Sequence, residues 1–176
     1  MQHSARPVIV TDYDTSWPAT FLALQGRIRE VLGDLADSVE HVGSTSVPGL
    51  AAKPIIDIDA IVSHRDKVSA ATERLHLLGY VHQGNLGIED REAYETPAGL
   101  PAHHLYVCIS GSPALINHIT VRDYLRTHPE CAVAYGRLKK ELASRFPHDA
   151  GQYTRAKSEF ILRILRKVGI AAPTPV

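Results

Sequence analysis

The sequence has few cysteines, no excess of charge and no long hydrophobic run. Its two cysteines, Cys108 and Cys131, match neither a disulfide framework nor the ligand spacing of a zinc site. This favours a reducing compartment, so we expect a cytoplasmic protein. Nineteen Lys and Arg residues balance nineteen Asp and Glu residues, whereas binding to nucleic-acid phosphates or anionic lipids needs clustered, uncompensated positive charge. We therefore expect no nucleic-acid partner.

Signals for export and for membrane insertion are also missing. The first ten residues, MQHSARPVIV, contain no long apolar segment, and no later segment approaches ~20 uninterrupted apolar residues. We expect no membrane association. With 44% hydrophobic and 22% charged residues, the composition is typical of a globular domain that folds without a disulfide or a metal. Since no repeat, low-complexity tract or linker divides the chain, residues 1–176 are predicted to form a single domain.

Hydrophobic spacing in the first half of the chain predicts a mixture of helices and strands. Apolar residues at helical intervals predict a helix over 17–35. Short apolar runs rich in β-branched residues predict strands over 39–42 and 54–62. Ser63 and Asp66 form a predicted capping box, which indicates that another helix begins there.

The second half has one polar segment and is otherwise mostly helical in its spacing. Residues 84–101 are polar and rich in turn residues, which predicts a loop or a hairpin, and 103–110 reads as a further strand. Three helices are then predicted to begin at Ser112, near Pro129 and near Gln152. This order predicts an α/β or α+β fold, in which helices cover a small mixed sheet and the C-terminal third is helical.

Two aspartates interrupt the apolar strand 54–62. Because side chains alternate faces along a strand, Asp57 and Asp59 share one face, while the apolar residues between them point to the other. Neighbouring carboxylates in a core strand need a cation or a shared proton, unless their face meets water. Hard oxygen ligands favour Mg²⁺ or Mn²⁺. A metal site and a solvated strand face are therefore the two interpretations of this strand.

The segment before this strand favours the metal site. Directly after the strand 39–42 come a glycine and three hydroxyl residues, Gly43, Ser44, Thr45 and Ser46. Such a turn exposes backbone N–H groups and small hydroxyls that can bind phosphate oxygens, although a plain turn has the same composition. Lys53 stands four residues before Asp57 and either neutralises a phosphate or is a solvated loop lysine. The combination indicates a phosphate pocket beside a carboxylate metal site.

Motifs along the chain resemble one known family. The stretch HVGSTSVPGLAAKPIIDIDAIV, residues 41–62, resembles the signature of the GrpB family, which is placed by its fold in the DNA polymerase beta type nucleotidyltransferase superfamily. Further segments extend the resemblance over about residues 12–165, namely YDTSW, HHLYV, RDYLRTHPE, YGRLKKELA and YTRAKSEFI. The resemblance implies a nucleotidyltransferase-like fold.

The same resemblance implies a nucleotide site and an activity. Gly43 and Ser44 would contact nucleotide phosphates, while Asp57 and Asp59 would hold Mg²⁺ or Mn²⁺. The implied reaction transfers a nucleoside monophosphate from a nucleoside triphosphate to a small-molecule hydroxyl, amine or phosphate. The alternatives are a metal-dependent hydrolase and a non-catalytic nucleotide-binding module that assists a protein partner. The module is an alternative because domains of this kind occur fused to dephospho-coenzyme A kinase.

A departure from the superfamily pattern concerns the third metal ligand. Active members generally carry a third carboxylate on a neighbouring strand, and the candidate strand HHLYVCIS has none. Alternation places His104 on one face with Tyr106 and Cys108, so His104 is the predicted occupant, as a metal ligand, a general base or a structural histidine. Four acidic residues of the polar segment are either replacement ligands or solvated, namely Glu89, Asp90, Glu92 and Glu95.

Basic residues on the C-terminal helices complete the set of candidates. Lys157 lies within an apolar helical stripe formed by Tyr153, Phe160, Ile164 and Val168. A lysine in such a stripe either faces an anion, which suits a phosphate site, or extends to the surface. Arg122 and Asp123 form an intramolecular pair or line the pocket, and Lys139 has the same two interpretations.

Overall fold

The sheet contains five strands and mixes parallel with antiparallel pairs. β1 (Ser38–Val42) pairs antiparallel with β2 (Ile56–Val62), and β2 pairs in parallel with β5 (His103–Ile109). Beyond β5 lie β4 (Arg91–Glu95) and, at the edge, β3 (Val81–Gly84), both in antiparallel pairs. The spatial order is β1-β2-β5-β4-β3. The predicted small mixed sheet is therefore confirmed.

Five α-helices accompany the sheet in the computed structural model, which describes residues 7–170. They are α1 (Trp17–Leu32), α2 (Lys67–His76), α3 (Pro113–Thr127), α4 (Pro129–Arg145) and α5 (Ala150–Lys167). The last three follow one another, so the prediction of a helical C-terminal third is also confirmed. Among these described helices, none has the length and apolar character needed to cross a bilayer. The prediction of a single domain over 1–176 stays a prediction.

One face of the sheet is apolar and packs against α1 and α2. The fully buried residues that β2 and β5 place on this face are Ile58, Ala60, Val62, Leu105 and Val107. They pack in one cluster with Ile28 of α1 and Leu75 of α2. Because alternate residues of β2 fill this core, Asp57 and Asp59 project to the opposite face, as strand alternation predicts.

The opposite face of the sheet carries the C-terminal helices. α3 contacts both β1 and β5, and α5 packs against α3 and α4. The segment after β1 is drawn into these helices, since Val47 and Leu50 are buried in a cluster with Leu125, Tyr135 and Ile164. The turn that precedes this segment is thereby held between the sheet and the helices.

The structure corrects two details of the sequence analysis. The capping box of Ser63 and Asp66 is not formed, because α2 begins at Lys67, so that Asp66 and not Ser63 stands at its N-cap, and the Asp66 side chain makes no capping hydrogen bond. The polar segment 84–101 contains β4, so Glu92 and Glu95 lie in a strand and not in a loop. The hairpin interpretation of this segment is the correct one.

The start of α3 provides a first testable prediction. Ser112 has extended backbone angles, and its Oγ accepts a hydrogen bond from the Leu115 N–H at 3.4 Å. We expect Ser112→Ala to lower the free energy of unfolding by about 1 kcal/mol, as loss of an N-cap does elsewhere. Ser63→Ala serves as the control, because Ser63 does not cap α2. Denaturant unfolding measures both variants, and equal losses would contradict the assignment.

Candidate functional site

The predicted site residues meet in a cleft between the polar face of the sheet and the C-terminal helices. A cavity of about 400 Å³ is lined by seven of them, Ser44, Thr45, Lys53, Asp57, His104, Lys139 and Lys157. A second cavity of about 280 Å³ continues the cleft and shares Ser44, Asp57, His118 and Lys157 with the first. Gly43 lines this second cavity. Asp59 is fully buried beside the cleft, and Ser46 lines neither cavity.

The parallel pairing of β2 and β5 sets the neighbours of the two aspartates. Asp57 lies beside His104 in the ladder, and Asp59 lies beside Tyr106. The Nδ1 atom of His104 is 2.8 Å from Oδ1 of Asp57. When Nδ1 carries the proton, Nε2 is the ring nitrogen that remains free to accept one. Strand alternation thus placed His104 correctly, and its role stays a prediction.

Asp59 has a partner that the sequence analysis missed. Nδ1 of His118, on α3, lies 2.7 Å from Oδ2 of Asp59. Burial lowers the pKa of His118, but the hydrogen bond to Asp59 and its charge outweigh burial, so the pKa of His118 is raised. One signal was available, because His118 follows the buried Leu115 by three residues and precedes the buried Leu125 by seven, which is the spacing of an inward helix face.

Gly43 brings the turn into contact with Asp57. Its φ of +69 lies in the left-handed region, and an added Cβ would lie 2.9 Å from Cβ and Cγ of Asp57 and closer still to Oδ2. Only glycine therefore allows the turn to approach the carboxylate this closely.

The turn uses two of its three hydroxyls internally. Thr45 Oγ1 lies 3.0 Å from His41 Nε2 and donates to the Ile55 carbonyl at 3.4 Å. Ser46 Oγ donates to the Gly43 carbonyl at 2.6 Å. Ser44 makes no side-chain hydrogen bond within residues 7–170 and lines both cavities of the cleft. Of the three hydroxyls, that of Ser44 is the one left available to a ligand.

Two arginines of α3 hold the turn and β1 in place. Arg122 donates from Nε to Asp123 at 2.7 Å and from Nη1 to Glu40 at 2.9 Å. Arg126 donates from Nε and Nη2 to the Ser46 carbonyl at 3.0 and 2.8 Å. Arg122 also lines the smaller cavity, so the intramolecular pair and the pocket position predicted as alternatives for Arg122 are both observed.

Three lysines line the larger cavity, Lys53, Lys139 and Lys157. Lys139 is only 2% exposed, and its Nζ has no hydrogen-bond partner in the described part of the chain. Burial lowers the pKa of Lys139 to about 7, and the neighbouring charge of Lys157 acts in the same direction. Burial and the charge of Lys53 also lower the pKa of Lys157. An anion bound in the cavity would compensate all three charges.

The acidic residues considered as replacement ligands lie away from the cleft. None of the four, Glu89, Asp90, Glu92 and Glu95, lines either cavity. Asp90 pairs with Arg65, and Glu92 pairs with His82 at 2.8 Å between Oε2 and Nε2. The polar segment therefore supplies no third carboxylate.

Asp57 and Asp59 meet the needs of a divalent metal only in part. Within residues 7–170, no group of three or more His, Cys, Asp or Glu side chains is arranged to hold a metal ion. Mg²⁺, however, is commonly bound by one or two carboxylates together with substrate phosphates and water. The buried Oδ1 atom of Asp59 has no hydrogen-bond partner in the described part of the chain, as expected for an oxygen that receives a cation. Asp57 and Asp59 therefore fit a metal that arrives with a nucleotide.

These features define the class of protein. A mixed sheet with a Gly-Ser turn after one strand and two aspartates on the next is the nucleotidyltransferase-like fold. The structure of Cid1 in complex with its short product ApU shares it, with a TM-score of 0.54 and 15% identity over 77% of this chain and 43% of that chain. The Cid1 poly(U) polymerase has also been solved with MgGTP bound, with a TM-score of 0.52 and 16% identity. This likeness shows the fold alone.

The chain belongs to the GrpB family, because residues 7–167 match the family described as GrpB protein. It is 31% identical to the glutamate-rich protein GrpB of Alkalihalophilus pseudofirmus, over 92% of this chain and 95% of that protein. It is 36% identical to the UPF0157 protein YqkA of Bacillus subtilis over 89% of this chain. The matched part is only 46% of that longer relative. The crystal structure of conserved protein GrpB from Enterococcus faecalis has a TM-score of 0.82 and 34% identity, over 90% of this chain and 96% of that chain.

A more distant match is to part of a larger enzyme. The chain is 24% identical to a dephospho-CoA kinase of Mycolicibacterium paratuberculosis, over 94% of this chain and 47% of that protein. About half of that protein therefore lies outside the matched part.

Proposed function

We propose that this protein binds a nucleoside triphosphate with Mg²⁺ or Mn²⁺ in the cleft and transfers the nucleoside monophosphate to a small-molecule acceptor. One observation carries the proposal. In and beside the cleft, a buried lysine nitrogen and a buried carboxylate oxygen both lack a hydrogen-bond partner among residues 7–170, namely Lys139 Nζ and Asp59 Oδ1. A phosphate suits the first and a divalent cation suits the second. A metal–nucleotide complex supplies both together.

The phosphates of the ligand belong in the larger cavity. Lys53, Lys139 and Lys157 line it, and Ser44 stands at its junction with the smaller cavity. These three ammonium groups would balance the charge of the departing pyrophosphate. Asp57 and Asp59 would hold the metal, which when bound polarises the α-phosphate.

His104 is proposed to accept the proton of the acceptor. Its Nδ1 is held 2.8 Å from Asp57, so Nε2 is available as a base. In the reaction, the acceptor oxygen or nitrogen forms a bond to the α-phosphorus and the bond from that phosphorus to pyrophosphate breaks. The acceptor proton passes to Nε2 of His104, and the pyrophosphate leaves beside the lysines.

Carboxamide variants test the proposal. We expect Asp57→Asn and Asp59→Asn each to weaken metal-dependent nucleotide binding at least about tenfold, because a neutral amide loses the charge that attracts the cation. Titration calorimetry with a nucleoside triphosphate, with and without Mg²⁺, measures the affinity. Glu95→Gln is the matched control, because Glu95 is exposed and lines neither cavity.

Turnover is measured separately, with labelled triphosphates, Mg²⁺ or Mn²⁺ and a library of metabolites. Release of pyrophosphate with labelling of an acceptor is expected. If no pyrophosphate forms and both asparagine variants bind metal and nucleotide like the parent, the proposal is wrong.

A second candidate is a non-catalytic nucleotide-binding module that assists a protein partner. Two observations favour it. No acidic residue of the segment 84–101 completes the pair of Asp57 and Asp59, and the chain matches part of a dephospho-CoA kinase. Tight nucleotide binding that needs no metal and gives no pyrophosphate would favour this candidate, as would a change in the rate of a separately supplied dephospho-CoA kinase.

A further inference from the structure

A third cavity, larger than either of the two that form the nucleotide cleft, lies outside that cleft. Its volume is about 650 Å³, and it is bounded by the start of α1, the segment after β1 and the junction of α3 with α4. It has no residue in common with the 400 Å³ cavity and shares only Leu125 with the 280 Å³ cavity. Its volume falls in the range of small-molecule sites, which span roughly 300–1,000 Å³. The nucleotide cleft and this cavity are therefore separate spaces.

The walls of this cavity are mostly apolar. The apolar side chains that line it include Pro18, Pro48, Leu125, Ala132 and Val133. Val133 is 54% exposed, so the cavity is open to solvent and part of its apolar wall is uncovered. Among residues 7–170, no Asp or Glu side chain lines it. An anionic ligand would therefore meet no carboxylate on these walls.

Arg126 provides the positive charge in this cavity. Its Nε and Nη2 donate to the Ser46 carbonyl, and its Nη1 lies 3.9 Å from Asp123 Oδ1, beyond hydrogen-bond distance. Asp123 instead accepts from Arg122 at 2.7 Å. Within residues 7–170, Arg126 therefore has no carboxylate at hydrogen-bond distance, and Nη1 can donate to a ligand. Its charge is compensated weakly by the protein itself.

His41 adds no second positive charge to the cavity at neutral pH. Burial lowers the pKa of His41 to about 4, and its Nε2 is within 3.0 Å of Thr45 Oγ1. Tyr13 is the other ionisable residue that lines the cavity. One cation among apolar walls matches a ligand with one negative charge, whereas the triphosphate of a nucleotide suits the three lysines of the cleft.

We propose that this cavity is a second ligand site, which binds a small organic monoanion with an apolar body. The anionic group receives a hydrogen bond from Arg126 Nη1, and the apolar body packs against Pro18, Pro48 and Val133. The proposal does not depend on nucleotide binding, because the two sites use different side chains.

Two fluorescent probes with the same aromatic body test the proposal. Anilinonaphthalene sulfonate carries one negative charge, and phenylnaphthylamine is its neutral counterpart. We expect the sulfonate to bind saturably at one site per chain, and the neutral probe to bind about tenfold more weakly, since a charge-assisted hydrogen bond is missing. Equal affinities for the two probes would overturn the proposal.

Variants locate the probe. Val133→Asp is expected to lower the affinity for the sulfonate probe at least about tenfold, because it adds a like charge to the cavity wall. Leu77→Asp is the control at a residue that is 79% exposed and does not line the cavity. Arg126→Gln should lower the affinity for the sulfonate to that for the neutral probe. Arg126→Lys should retain part of the difference between the two affinities. Parent-like binding by Val133→Asp, or displacement of the probe by a nucleoside triphosphate, would overturn the assignment.

Discussion

Gly43→Ala is expected to abolish nucleotide binding and to lower the free energy of unfolding by roughly 3 kcal/mol. Gly43 has a φ of +69 and a ψ of −172, a backbone conformation that is essentially confined to glycine, and alanine there costs about 1–3 kcal/mol by itself. The new Cβ would also lie 2.9 Å from Cβ and Cγ of Asp57. The carboxylate cannot turn away freely, because its Oδ1 is bonded to His104 at 2.8 Å. Either the turn or Asp57 must move, and both belong to the site.

Gly49→Ala separates the two causes. Gly49 has a φ of +78, but no heavy atom lies within 4 Å of an added Cβ. Alanine there should cost only the backbone term of about 1–2 kcal/mol and leave nucleotide affinity unchanged. Denaturant unfolding and titration calorimetry compare the two variants. If they lose the same stability and bind nucleotide equally well, the close approach of Gly43 to Asp57 has no importance for the site.

The fold was predictable where local patterns carry most of the information. Alternation in 54–62 and 103–110 assigned the two central strands and their faces, because one face of each strand is filled by the core. The capping box at Ser63 and Asp66 failed because a capping motif describes residue types only, whereas the helix itself begins at Lys67, too late for Ser63 to cap it. The start of α2 is set by the connection between β2 and α2, which the motif does not describe.

The site was predictable along single strands and less so across elements. Asp57, Asp59 and His104 lie on two adjacent strands, so the period of two residues brings them to one face. His118 reaches Asp59 from α3, and this contact depends on how the helix crosses the sheet. Sequence patterns also treat the hydroxyls of a turn as equivalent. The structure distinguishes them, since Thr45 and Ser46 bond within the turn and its surroundings.

Lys139→Met is expected to raise the free energy of unfolding and to lower the nucleotide affinity. Lys139 is 2% exposed, and its Nζ has no hydrogen-bond partner in the described residues and lies 4.6 Å from the centre of the Tyr135 ring, so the fold bears the cost of a buried ammonium or of its deprotonation. Methionine fills a similar volume without charge. We expect a gain of about 2 kcal/mol in the free energy of unfolding at pH 7 and a nucleotide affinity at least about tenfold lower.

The pH dependence of that gain tests its cause. The pKa of Lys139 is lowered to about 7 from 10.5, so between these values the unfolded chain binds more protons at this residue than the folded chain. The stability of the parent therefore rises with pH relative to Lys139→Met, and the advantage of the variant is full below pH 7 and shrinks toward pH 10.5. Lys140→Met is the control, because Lys140 is exposed and lines neither cavity of the cleft. If Lys139→Met is less stable than the parent, or if its gain in stability does not change with pH, then Lys139 is not a buried ammonium group that lacks a compensating anion.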